Sequence, residues 1–171
     1  HFSFDVKTTE VSFEVMKKLS SMDTPINIIG LCHKNSNNEI LGNRVVLLDE
    51  LQDPGNLGTI IRSSLAFNID TIILSENTVD LYNPKVLRAT QGMFFHTNII
   101  NMKIKDVVVL LKNMEIPVYG TKVESGFAVL DLSEDDKLRF ALIVGNEGNG
   151  VKEEISELCD KNLYIKMNSN V

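Results

Sequence analysis

Short apolar runs recur along most of the chain, at residues 45–48, 71–74, 94–100, 116–119, 140–144 and 163–165. Each is too short for a helix that packs by one stripe, and most are apolar throughout, so they read as strands buried on both faces. Helical spacing separates most of them, over residues 57–67, 84–91, 103–114 and 150–159. This alternation predicts an α/β fold built on a parallel sheet with helices on both faces. In the first of those helices, Leu57, Ile60, Ile61, Leu65 and Ile69 follow the spacing of a core-facing stripe. Arg62 and Ser63 fall off that stripe and are placed to face a cleft. Ahead of the alternation, residues 9–23 read as a helix stopped by Pro25. The apolar run 26–32 reads as a strand and the Asn- and Ser-rich segment 33–43 as a loop.

Two strand-to-helix junctions carry the candidate chemistry. The first, LDELQDPGNLGTIIRSSLAFN over residues 48–68, has Asp53-Pro54-Gly55 as turn chemistry and Asn56 as the expected N-cap. Asn56, Gly58 and Arg62 form an N-x-G-x-x-x-R pattern. Taken singly, these residues read as a cap, a close-packing glycine and a solvated arginine. The joint pattern behind Asp53-Pro54-Gly55 is much harder to obtain by chance, and a guanidinium offers a rigid fork of donors for phosphate or for a ribose hydroxyl. The second junction is GNEGNG, residues 145–150. A plain turn, with Asn149 capping the next helix and Glu153 and Glu154 at its positive end, accounts for the glycines but not for Glu147. Glycines there let backbone N–H groups approach a ligand. The loop is neither a G-x-G-x-x-G fingerprint nor a Walker A loop, which counts against a dinucleotide-binding oxidoreductase and an NTPase. Both junctions lie at the carboxyl ends of expected strands, where open parallel sheets bind ligands.

Charge complicates the choice of partner. A formal net charge of −6 and a pI near 5.1 count against nucleic acid, which requires a basic footprint. A local patch built from Arg62, Lys85, Arg88, Lys103 and Lys105 would answer that objection. NPKVLRATQG, residues 83–92, sets Lys85 and Arg88 on a short helix, which reads equally as a solvated face. His96 reads as a hydrogen-bonded strand histidine. Ser125 lacks the G-x-S-x-G context of a hydrolase nucleophile, and residues 131–139 read as a solvated loop. No His, Cys, Asp or Glu cluster has metal-ligand spacing, so no metal is expected. Cys32 and Cys159 read as buried thiols of a reducing cytoplasm. The sequence holds no apolar run of membrane-span length and no signal peptide. A chain opening on His1 rather than Met reads as part of a longer protein.

The two junctions, with IKM at residues 165–167, resemble the three motif regions of the SpoU/TrmH family over about Arg44 to Val171. That family comprises knotted RNA ribose 2′-O-methyltransferases that use S-adenosylmethionine. The resemblance implies a SPOUT methyltransferase fold with a C-terminal trefoil knot. It divides the chain into residues 1–25, similar to the tail of an RNA substrate-binding domain or its linker, and a catalytic domain over residues 26–171. It implies Arg62 as the essential arginine, Asn56 as its partner in the first motif and Glu147 as the acidic residue of the second. Thr121, Gly145, Asn146, Ile165 and Met167 are then expected against the methyl donor, with Gly145 and Ile165 bracketing its adenosine. Arg62, Lys85 and Arg88 are expected toward RNA. The family pattern continues past IKMNSNV with a Ser-Leu-Asn stretch and a last helix, so part of the donor site is expected beyond this sequence. The implied protein is a cytoplasmic homodimer acting on tRNA or rRNA. The competing reading is a non-catalytic RNA- or nucleotide-binding module of the same fold, which would have no need to keep Asn56, Arg62 and Glu147 together.

Overall fold

The sheet begins with five residues, Arg44–Leu48 (β1), whose side chains serve two different cores. Val45 and Leu47 pack into one, Val46 and Leu48 into the other. A strand covered on both faces needs apolar residues at every position rather than at alternate ones. A computed structural model describes residues 7–20, 22, 24, 26–34, 39–124 and 126–167. The chain divides into two compact units, residues 1–36 and 37–171. The first contains α1 (Phe13–Leu19), capped by the side chain of Ser12. The second contains β1, α2 (Pro54–Ala66), β2 (Thr71–Leu74), α3 (Pro84–Ala89), β3 (Asn98–Asn101), α4 (Ile104–Asn113) and β4 (Val118–Thr121). It continues through β5 (Phe127–Ala128), α5 (Glu134–Leu138), β6 (Phe140–Val144), α6 (Glu153–Ser156) and β7 (Lys161–Tyr164).

The strands form one sheet in the order β3-β2-β1-β6-β4-β7-β5, with every pairing parallel. Helices lie on both faces, as the alternating pattern implies. Ile104, Val107, Val108 and Leu111 of α4 and Ile155 of α6 share a core with Val45, Leu47, Val118 and Ile143. Leu57 and Ile61 of α2 and Val86 of α3 share the other with Val46, Leu48, Ile72 and Leu74. After β3 at the sheet edge the chain returns through α4 to β4, and β6 then fills the place between β1 and β4. That insertion pairs Leu48 with Val144 and sets the ends of β1 and β6 side by side.

Several expected elements differ. Residues 26–32 form no strand; Ile26, Ile28, Ile29 and Leu31 are exposed, and the sheet starts at Arg44. The run 94–100 divides into a 3-10 turn, Met93–His96, and β3, because Gln91 and Gly92 both adopt positive φ and redirect the chain. His96 is therefore exposed on that turn rather than held in a strand. The helix expected at 150–159 shrinks to α6, since Gly150 bridges back to Asn146 and Lys152 is still extended. Residues 131–139 are not a loop but contain α5, started by a capping box between Ser133 and Asp136. Cys32 is exposed, whereas burial pushes the thiol of Cys159 up to about 11. Pro25, residues 35–38, Ser125 and residues 168–171 lie outside the described residues, so the expectations placed on them do too.

Candidate functional site

At the first junction the cap is Asp53, not Asn56. The Asp53 carboxylate accepts the backbone N–H of Asn56 at 2.7 Å, and Pro54 occupies the first turn, where its missing N–H costs nothing. Relieved of capping, the Asn56 side chain reaches across to the second junction, and its Nδ2 donates to Glu147 Oε1 at 3.2 Å. Gly58 is a close-packing glycine: a Cβ there would stand 2.3 Å from that of Ala89 in α3. Arg62 is exposed, and among the described residues no hydrogen bond or ion pair holds it. The stripe around it is buried through Leu57, Gly58, Ile61 and Ser64.

At the second junction the backbone closes on itself. Asn146 N–H donates to Gly150 O at 3.1 Å and Gly150 N–H to Asn146 O at 2.8 Å. Asn146 Oδ1 accepts the amides of Gly148 and Asn149 at 2.9 and 3.3 Å, and its Nδ2 donates to Glu50 O at 3.0 Å. A Cβ on Gly145 would lie 2.0 Å from the carbonyl carbon of Gly150, so the closed loop admits only glycine at that position. Glu147 points from this loop to the first junction. Besides Asn56, its carboxylate accepts the amides of Asp53 at 3.3 Å and Gln52 at 3.5 Å. Its own backbone N–H is the largest cause holding the carboxyl below the usual range; the Asn56, Asp53 and Gln52 donors add to it against partial desolvation. Beside the loop, Asp49 at the end of β1 is 5% exposed, and burial raises its carboxyl against the opposing charge of Lys152.

A cavity of about 880 Å³ opens beside the second junction, over the ends of β4, β6 and β7. Thr121, Gly145, Asn146, Ile165 and Met167 all line it, together with Glu147. Leu142, Val144 and Leu163 supply apolar wall, while Glu124, Asp136, Glu147 and Glu153 set four carboxylates against Lys122 and Lys137. A pocket of this size with apolar walls and a few convergent polar groups suits a small organic ligand, and the excess of carboxylates favours a cationic one. Thr121 is fixed by donating its hydroxyl to Ile143 O at 3.0 Å.

Other residues stand apart from this cavity. Arg62 opens onto a separate cleft of about 430 Å³ with Thr59, Ser63, Phe67, Gln91 and Met93. Lys85 and Arg88 are exposed on α3, three positions apart and so on one face. Lys105 does not join them. It sits on α4, across the sheet, and pairs with Glu154 at 2.7 Å. Among the described residues, no group of three or more His, Cys, Asp or Glu is arranged to hold a metal ion, and no helix is long and apolar enough to cross a membrane. Sequence reasoning missed the cluster on the cavity wall in which Asp136 accepts from Tyr119 at 2.8 Å, Lys161 at 2.9 Å and Ser133 at 2.8 Å. Lys161, first, and then Tyr119 and Ser133 hold Asp136 well below the carboxylate range, while burial and that carboxylate push Tyr119 far up. The S-x-x-D spacing of Ser133 and Asp136 was the available signal.

The model of the SpoU rRNA Methylase family matches residues 43–171. The 23S rRNA (guanosine(2553)-2′-O)-methyltransferase RlmP of Bacillus subtilis (strain 168) is 36% identical over 157 residues, covering 92% of this chain and 62% of that protein. Among solved structures, a TrmH-family protein from Porphyromonas gingivalis superimposes with a TM-score of 0.78 at 25% identity, over 90% of this chain and 62% of that one. The SpoU methyltransferase AviRb from Streptomyces viridochromogenes, crystallised with the cofactor AdoMet, gives 0.69 at 27% identity over 76% and 53%. The chain thus spans less than two thirds of the length of each of these relatives.

Proposed function

This chain belongs to the SpoU rRNA Methylase family, and from that premise we propose that it transfers a methyl group from S-adenosylmethionine to a ribose 2′-hydroxyl of rRNA or tRNA. The observation that carries the reading is the juxtaposition at the two junctions. Asn56 is bonded to Glu147, and Glu147 lines the same cavity as Thr121, Gly145, Asn146, Ile165 and Met167. The donor fits that cavity by its chemistry: an adenosine for the apolar wall of Leu142, Val144 and Leu163, and a cationic sulfonium for the surplus of carboxylates. RlmP and AviRb, a 23S rRNA 2′-O-methyltransferase and an AdoMet-bound SpoU methyltransferase, support the assignment.

When bound, the donor supplies a methyl group already activated by positive charge, so acceleration can come largely from orientation. Thr121, Gly145, Asn146, Ile165 and Met167 hold the donor. Glu147 keeps the first junction in register by gripping the amides of Gln52 and Asp53 and the side chain of Asn56. Arg62 orients the ribose hydroxyl and stabilises charge on its oxygen. As the C–O bond forms, the methyl–sulfur bond breaks, S-adenosylhomocysteine leaves and the hydroxyl proton passes to solvent; a guanidinium offers only donors, which disfavours it as the base. Lys85 and Arg88 contact the RNA backbone. Arg62 lies six residues beyond Asn56, roughly 9 Å along α2, and opens onto a cleft distinct from the donor cavity. This supports a homodimeric protein in which the arginine of one subunit serves the donor of the other. The residues over 1–25 belong, in this reading, to the tail of a substrate-binding domain, and the C-terminal segment to the knot.

Mapping of ribose methylation across total RNA from cells with and without the full-length gene tests the assignment. One or a few 2′-O-methyl positions in rRNA or tRNA should disappear with the gene. An unchanged map would leave the non-catalytic binding module as the better reading.

A further inference from the structure

Glu50 occupies an unusual conformation for a long side chain. Its φ is +57°, in the left-handed region that non-glycine residues visit at a cost. Glycine or asparagine would occupy the position more easily. What the glutamate has instead is partners in three different segments. Its carboxylate accepts Lys152 Nζ at 2.6 Å and Asn77 Nδ2 at 2.8 Å. Its carbonyl accepts Asn146 Nδ2 at 3.0 Å and Gln52 Nε2 at 3.1 Å, and its amide donates to Ser75 Oγ at 2.8 Å.

Asn146 stands at the start of the glycine-rich loop and Lys152 just past its end, so one residue anchors both ends of that loop. Lys152 is at the N-cap of α6, a position that favours Ser, Thr, Asp or Asn, yet it makes no cap bond and turns to Glu50. Its charge also offsets that of the buried Asp49 beside it. The arrangement is reciprocal: Glu147 of the second junction grips the first, and Glu50 of the first grips the second. The gripped loop forms one wall of the cavity, through Asn146, Gly148, Asn149 and Gly150.

We propose that Glu50 and Lys152 are positioning residues for the methyl donor, their pairing holding the glycine-rich loop at the spacing the donor requires. The proposal rests on the function proposed above and assigns neither residue a contact with the reacting atoms.

The test uses the full-length protein, with calorimetric titration of S-adenosylmethionine and steady-state kinetics on the RNA it methylates. Glu50→Gln and Lys152→Met should weaken donor binding by roughly tenfold or more, since small displacements of a binding wall are costly. KM for the donor should rise while KM for RNA stays unchanged, and Lys152→Arg should retain most of the affinity. Glu50→Gly separates carboxylate from backbone. It removes the left-handed strain, yet it should bind the donor as weakly as Glu50→Gln. Wild-type donor affinity in Glu50→Gly or Glu50→Gln would overturn the positioning role while leaving the methyltransferase reading intact. Failure of the wild-type protein itself to bind the donor would overturn both.

Discussion

Replacing Gly145 by alanine isolates the geometry of the second junction in a single methyl group. A Cβ at this position would meet the carbonyl carbon of Gly150 at 2.0 Å, its oxygen at 2.2 Å and the amide nitrogen of Val151 at 2.2 Å. Ordinary contact begins at 3.4 Å, so the shortfall exceeds an ångström, and all three neighbours are backbone that cannot rotate aside. The φ of Gly145 is not in the left-handed region, so the effect is steric rather than conformational. Relief requires opening the paired bonds between Asn146 and Gly150, at 2.8 and 3.1 Å. Overpacking of this kind costs about 1–3 kcal/mol of stability. The loop lies at the surface, so most of the strain should be released by its moving outward, and the larger effect should fall on the donor. A wall displaced by this much should weaken S-adenosylmethionine binding by roughly a hundredfold. Calorimetric titration of the full-length protein measures it, with thermal melting to show that the variant is folded. Gly30→Ala is the control, because its Cβ would meet nothing within 4 Å and the residue does not line the cavity, and its affinity should stay within about twofold of wild type. If Gly145→Ala also bound the donor within that margin, the loop would not be the wall of the donor site.

Arg62→Ala should change stability by less than about 0.5 kcal/mol, since the side chain is exposed. It should leave donor binding intact and lower methyl transfer by roughly a hundredfold or more. Arg62→Lys should fail similarly, because an ammonium lacks the planar fork; a lysine variant with most of its activity would rule out an orienting guanidinium. Lys85→Ala and Arg88→Ala should each reduce the slope of log affinity for RNA against log salt by about one, and unchanged slopes would remove α3 from the RNA interface. Glu147 has a lowered folded value against an ordinary one of 4.5, so its grip on the first junction is fully present above that value and is lost as pH falls through the lowered one. Donor affinity should therefore be flat through neutral pH and decline only below the ordinary glutamate range. In Glu147→Gln the affinity should be reduced at neutral pH and the acid decline absent, whereas an identical decline would assign it to another group.

Most of the sheet was legible because its strands are covered on both faces and carry an unbroken apolar code, as Val45 to Leu48 and Thr71 to Leu74 do. Residues 26–32 also read as a strand, but Asn27 and Gly30 interrupt their apolar run, and they form none. The caps failed for a local reason. Asp53 and Asn56 are both good cap residues three positions apart, and local chemistry cannot choose between them. Only the donor bond from Asn56 to Glu147 shows why Asp53 takes the cap. Acidic residues 131–139 looked like solvent-facing charge, yet Asp136 is spoken for by Tyr119 and Lys161, which lie elsewhere in the chain.

The candidate site depends on strand order. Both junctions can be recognised one at a time, but their adjacency follows from β6 entering the sheet beside β1, with Leu48 opposite Val144. Had β6 been placed next to β4 alone, Glu147 would have no amides of Gln52 and Asp53 to grip, and Glu50 would have no Lys152. The exchange of carboxylates between junctions is thus a consequence of topology acting on residues 95 and 102 positions apart. It also explains how two polar turns can be held in register without a disulfide between them. Each supplies the acceptor that satisfies the donors of the other, so neither can shift without leaving charged or backbone groups unpaired. Arg62 lies outside this reciprocal arrangement, on an exposed turn of α2. A residue that no hydrogen bond or ion pair holds among the described residues is free to be placed by a ligand.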